Sequence, residues 1–207
     1  SIDCAVNEGG LAELQARRDA ARAEGRLYGI GYSVVVEPSI SNMGYITTLL
    51  TPEQRERSGP KNGALATATV AFDPSGAISV AVSSVPQGQG HRTVLAQVVA
   101  DVFQMDPLEV AVATEHDTAK DPWTIASGNY ASRFAGAVAG ATHTAAVRLR
   151  ERLTVIAAAD LNVPPEDVAY GNGRIFATGN PDNSVPLGRS AAKAHWSPLS
   201  IPDAAGA

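Results

Sequence analysis

Two short stretches of this chain carry side chains that could do chemistry. The first, Gln87-Gly88-Gln89-Gly90-His91, combines two amides, each able to donate and accept, with two glycines that let a backbone approach a guest closely. It sits where an alternating run gives way to an apolar stripe at helical spacing. The free N–H groups of a helix start then face the turn, and their natural guest is an anion or a polarised oxygen. The second, Ser127-Gly128-Asn129-Tyr130-Ala131-Ser132-Arg133, opens another helix with small hydroxyls and an arginine whose planar fork suits phosphate. The first stretch is not a Walker loop, because no Gly-Lys-Ser/Thr follows. It is not the dinucleotide fingerprint either, because the third glycine is absent. Taken singly, it is better explained as a bend required for packing.

Other reactive side chains have plainer readings. His116 lies between Glu115 and Asp117, but contiguous residues rarely aim at one ion, so the trio reads as a solvated turn. Glu37 before Pro38 reads as a loop residue, and His195 beside Trp196 as packed or surface. Cys4 is the only cysteine, which excludes an internal disulfide framework and a thiolate cluster. The net charge of −5 over 207 residues and a pI near 5.3 argue against a nucleic-acid or membrane-surface binder. No apolar run approaches a membrane span, so a cytoplasmic location is the expectation. The chain opens on Ser1 directly into helix-like sequence, which suggests a processed chain or a piece of something longer.

Around the two stretches, the pattern predicts elements able to hold them. A charged helix is expected over 7–25. An apolar strand over 27–36 should be buried on both faces, and a long loop should cover 39–62. Strands over 64–72 and 77–83, joined by Asp73-Pro74-Ser75-Gly76, predict an antiparallel hairpin that delivers the chain to Gln87. Val94, Leu95, Val98, Val99, Val102 and Phe103 form the apolar stripe of a helix over 91–105, and 108–113 reads as a short strand. A long helix is expected over 131–159. Its Gly136, Gly140 and Thr144 form a row almost without bulk, which implies close approach of another backbone. A hairpin over 168–178 turns at Gly171-Asn172-Gly173; a short helix through His195 and a tail over 198–207 follow. The class is α+β: a mixed sheet with long packing helices. Residues 26–160 are expected to form a core carrying the two turns, and 161–207 a small hairpin and tail.

Read together, the two stretches resemble the molybdenum-binding large subunit of the xanthine dehydrogenase, aldehyde oxidase and carbon monoxide dehydrogenase family. The likeness runs from Gly29-Ile30-Gly31 to Val185-Pro186-Leu187. It implies that this chain is part of a larger molybdopterin-binding domain. The cofactor-binding positions it implies are Gln87, Gly88, Gln89, Gly90, His91, Tyr130, Ala131, Ser132 and Arg133. The implied cofactor is molybdenum with molybdopterin cytosine dinucleotide. FAD and 2Fe–2S clusters are expected on a flavin subunit and an iron–sulfur subunit, the partners beside the remaining molybdenum-subunit segments. The implied reaction oxidises an aldehyde, an N-heterocycle or a similar small substrate, with water as the oxygen source. Phe134-Ala135 follow the arginine where the family often has Ser/Thr. The metal-side glycine–phenylalanine segment, the substrate loop and the late Gly-x-Gly-Glu base segment are all missing, so no catalytic residue is expected in this chain. The alternative is a noncatalytic scaffold, or an anion- or nucleotide-binding domain, within a multisubunit assembly.

Overall fold

Ile78, Val80 and Val82 alternate with Ser79 and Ala81, and this period of two puts the three large residues on one face of a strand. In the computed structural model, which describes residues 2–35, 49–58, 66–115, 117, 119, 129 and 132–205, that strand is the centre of a sheet. The strands are β1 (Ala68–Phe72), β2 (Ile78–Val82) and β3 (Val110–Ala113), in the order β1-β2-β3. β1 and β2 are antiparallel, with Phe72 opposite Ile78 and Val70 opposite Val80. β2 and β3 are parallel, with Ile78 beside Val110 and Val80 beside Val112. The hairpin between β1 and β2 closes as expected: Asp73 accepts from the N–H groups of Ser75 and Ala77, and Gly76 takes φ +87.

Two helices cover the apolar face. α4 (His91–Phe103) is the crossover between β2 and β3, and α5 (Ala139–Leu161) packs on α4 and β1. Leu95, Val99 and Phe103 have no exposed surface. Burying each stabilises the fold by roughly 1.5–3 kcal/mol relative to leaving it in water. α4 ends at Gln104 and α5 at Asn162, both left-handed, and the following N–H groups bond back to Ala100 and Ala158. A one-turn π segment, Phe134–Val138, precedes α5.

A second antiparallel sheet follows: β4 (Val168–Gly171), β5 (Arg174–Ala177) and β6 (Asn180–Pro186). Asn172 and Gly173, both at positive φ, form the two-residue turn that right-handed strand twist favours. Tyr170, Ile175, Leu187 and Ala191 join the same buried cluster as Val80 and Leu95. α6 (Leu187–Trp196) confirms the expected short helix and braces the first hairpin, with His195 Nε2 3.2 Å from the Phe72 carbonyl and Trp196 Nε1 donating to the Pro74 carbonyl at 2.6 Å.

The chain divides into two compact units, Ser1–Val36 and Glu37–Ala207. In the first, the expected single helix over 7–25 is two: α1 (Ile2–Glu8) and α2 (Leu11–Ala23), interrupted where Gly10 turns left-handed. α2 ends as predicted at Gly25, where the Arg26 N–H bonds to the Ala21 carbonyl and the Gly25 N–H to that of Arg22. The expected buried strand over 27–36 is corrected. Its described residues hydrogen-bond to no strand, and Leu27, Val34 and Val35 are 102%, 87% and 78% exposed. An apolar run becomes a buried strand only when another strand satisfies its backbone, and none of the described strands does so. Within the expected loop over 39–62, Pro52–Ser58 is a helix, α3, with the Thr51 side chain and the Gln54 amide bonding reciprocally across its start. β6 was not expected at all. The row of Gly136, Gly140 and Thr144 is exposed, so among the described residues no backbone packs on it.

Candidate functional site

Because β2 and β3 are parallel and α4 crosses between them, their carboxyl ends lie side by side, with Ala81 beside Ala113. The chain leaves β2 into residues 83–90 and leaves β3 into residues 114–132. In sheets with parallel strands, the crevice outside the carboxyl ends is where ligands bind. The segments that lead on to the two predicted stretches therefore leave β2 and β3 at one end of one β-α-β unit.

In the first stretch the backbone follows the chemistry of glycine. Gly88 has φ +101 and Gly90 φ +78, a region that other residues enter with strain. Among the described residues, a Cβ placed on either would meet nothing within 4 Å, so the turn presents bare backbone. Gln87 and Gln89 are exposed, and the Gln87 N–H donates to Gln89 Oε1 at 2.5 Å. That bond fixes the Gln89 oxygen as acceptor and leaves its NH2 as a donor. Gly90 then serves as the cap of α4, with no side-chain hydrogen bond at this helix start.

His91 differs from its neighbours. It has no exposed surface, and its ring stacks on Phe134 with centroids 3.7 Å apart and planes at 5°. Among the described residues neither ring nitrogen has a hydrogen-bond partner. Burial lowers its pKa from the ordinary 6.5, so the ring is held neutral. Arg92, by contrast, is exposed and reaches from α4 to the end of β3, with its Nη2 3.3 Å from Thr114 Oγ1 and 3.1 Å from Glu115 Oε1. The Glu115 carboxyl is held below its usual range by backbone N–H groups, its own first and then that of Thr114, with Arg92 adding to them.

In the second stretch Ser132 is exposed at φ +47, and Arg133 is wholly buried and engaged within the fold. Tyr130 and Ala131 lie outside the described residues, as do Ser127, Gly128 and His116. Among the described residues, two contacts join the stretches. One is the His91–Phe134 stack. The other is a hydrogen bond from Ser84 Oγ, which is 1% exposed, to Asn129 Oδ1 at 2.6 Å. Ser84 and Phe134 were not singled out from the sequence as part of the site. The signal for Ser84 was a polar pair, Ser83-Ser84, at the end of an apolar strand. Phe134 carried no local signal. A cleft of about 1000 Å³ lined by Asp101, Gln104, Asp106, Glu109 and Asn172 lies by the opposite end of α4, and no described residue of either stretch lines it.

The chain has relatives among known proteins. It is 31% identical over 180 residues to the nicotine 6-hydroxylase large subunit of Paenarthrobacter nicotinovorans, covering 87% of this chain and 21% of that one. It is 28% identical over 129 residues to the carbon monoxide dehydrogenase large chain of Hydrogenophaga pseudoflava, covering 62% of this chain and 16% of that one. Among solved structures, quinoline 2-oxidoreductase from Pseudomonas putida 86 superposes with a TM-score of 0.70 at 28% identity, covering 97% of this chain and 24% of that one. The CO dehydrogenase from Oligotropha carboxidovorans shares the fold at a TM-score of 0.65 and 22% identity, covering 94% of this chain and 23% of that one. The chain thus spans about a fifth of the length of the curated relatives it matches. No helix among the described residues is long and apolar enough to cross a membrane. Residues 5–205 match the molybdopterin cofactor-binding domain, and the chain belongs to that family.

Proposed function

We propose that this chain is one segment of a molybdenum-dependent oxidoreductase subunit and that it grips one side of a molybdopterin cytosine dinucleotide. The observation that carries the proposal is the joining of two polar bends, by the His91–Phe134 stack and the Ser84–Asn129 bond, at the carboxyl ends of two parallel strands. The residues present fit the group. Gln87 and Gln89 offer exposed amides to the mixed donor and acceptor edges of a pterin, and the bare backbone of Gly88 and Gly90 leaves room for its phosphates. Ser132 offers an exposed hydroxyl from the second bend. Tyr130 and Ala131 complete the proposed set, and Arg133, being wholly buried and engaged within the fold, supports it from inside.

When bound, the cofactor supplies the two-electron oxidation itself; this chain supplies orientation and tuning. The substrate is a small electron-poor molecule, an aldehyde or an N-heterocycle, and the names of the nicotine and quinoline enzymes favour the heterocycle. The partners proposed are the remaining molybdenum-subunit segments, an iron–sulfur subunit with 2Fe–2S clusters and a flavin subunit with FAD. The assembled enzyme is expected to contain molybdenum and to release cytidine monophosphate on acid treatment. Absence of both from a fully assembled, active preparation overturns the proposal and leaves packing as the purpose of the bends. Gln89→Ala is expected to lower cofactor content by about tenfold, the effect of losing roughly one polar contact worth 1–1.5 kcal/mol. Its thermal midpoint should stay near that of the parent, because Gln89 is exposed. Equal losses in both measurements point instead to a structural residue.

A further inference from the structure

We propose that His91 and Phe134 form a latch that sets the spacing of the two bends, with His91 acting through its ring face as a positioning residue and not through its nitrogens as a ligand contact. The proposal rests on the cofactor role given above and deepens it. Each ring stands just inside a helix start. His91 follows left-handed Gly90, and Phe134 stands two residues after left-handed Ser132. The backbone is thereby committed on both sides of the contact, and the near-parallel stack at 3.7 Å is where the two meet. Phe134 also opens the π segment, its carbonyl accepting the Ala139 N–H. A π turn inserts an extra residue into the helical cycle and so rotates whatever precedes it about the helix axis. The azimuth at which Ser132 and Arg133 leave α5 therefore depends on that wider turn, and the turn is pinned through Phe134 to the first residue of α4.

Burial decides between the two roles open to His91. A ring with no accessible surface offers nothing for a cofactor atom to touch, whereas its face covers Phe134. Two buried ring faces in close contact hold their spacing by packing, because parting them opens a void whose lining loses its contacts. The neutral state suits this use, since a cation placed there lacks any hydrogen-bond partner among the described residues.

The test compares His91→Ala, Phe134→Leu, the double variant and His91→Phe in the purified full assembly. Cytidine nucleotide and molybdenum retained per chain after prolonged dialysis are measured alongside the thermal midpoint. His91→Ala and Phe134→Leu are each expected to reduce retention by about tenfold, and the double variant no further than the deeper single, as expected for two halves of one contact. His91→Phe, which keeps an aromatic face and has no ring nitrogen, is expected to lose about threefold or less. A loss in His91→Phe as deep as in His91→Ala overturns the latch, because the nitrogens are then what matters. So do losses that multiply in the double variant. If His91→Ala fails to fold, the comparison of His91→Phe with Phe134→Leu decides alone: retention in the first well above the second supports the latch, and the reverse order overturns it. Lack of molybdenum and nucleotide in the parent assembly instead defeats the cofactor role, before any variant is compared.

Discussion

Protonating His91 inside the fold means placing a cation where water cannot reach it, and the burial-lowered pKa records that opposition. The unfolded chain takes up its proton around the ordinary value of 6.5, while the folded chain takes it up only at lower pH. Protons are therefore bound more by the unfolded state in that window. The stabilisation is fully present above 6.5 and is lost as pH falls below it, by at most about 1.4 kcal/mol per pH unit. Urea midpoints measured between pH 7 and 5 should fall for the parent and stay flatter for His91→Phe. Parallel slopes for the two proteins would mean that His91 is not the group that titrates. The same residue shows how far a local pattern reaches: helix position 91 was legible, but not that its ring would be sealed against Phe134.

Among the elements, α6 and the first hairpin approach each other backbone to backbone. A Cβ added to Gly188 would lie 2.8 Å from the Gly76 carbonyl oxygen, and one added to Gly76 would lie 2.4 Å from that of Gly188. Backbone meets backbone there, so neither side can yield by rotating a side chain. Gly188→Ala is expected to destabilise by about 1–3 kcal/mol, the usual cost of overpacking, and Gly76→Ala by more, because its φ of +87 adds strain. Chemical denaturation of the two variants checks both the size and the order. The glycine in Asp73-Pro74-Ser75-Gly76 was predicted as a turn residue, and that is correct. Its closeness to Gly188 was not predicted, because nothing near Gly76 in the chain encodes what arrives from 112 positions further on.

For the whole molecule, apolar and bulk-free surfaces stand open among the described residues. Leu27, Tyr32, Val34 and Val35 are exposed on an extended segment, and the Gly136-Gly140-Thr144 row lies open on the helical stretch that becomes α5. Backbone amides over 27–35 are expected to exchange with deuterium rapidly in the isolated chain and at least about tenfold more slowly in the full assembly, as unpaired segments do when they gain partners. Unchanged exchange on assembly would show that this segment faces solvent in both.

The elements whose signal is local could be read from residue order: the Asp73–Gly76 turn, the Asn172-Gly173 turn, the apolar stripe of α4 and the left-handed glycines before it. Each follows from φ preference or from a short period, which a few adjacent residues determine. β6 escaped because Asn180-Pro181-Asp182-Asn183 reads as a loop, and only pairing with β5 makes it a strand. The run over 27–36 erred in the opposite direction, with strand-like residues and, among the described residues, no strand paired to them. Tertiary structure alone decided that β3 runs parallel to β2, that Ser84 and Asn129 meet across 45 positions, and that Arg133 and His91 are sealed inside. Those outcomes depend on summed packing between distant segments. No single stretch carries that sum, so the two bends are visible in the sequence while their meeting is visible only in the fold.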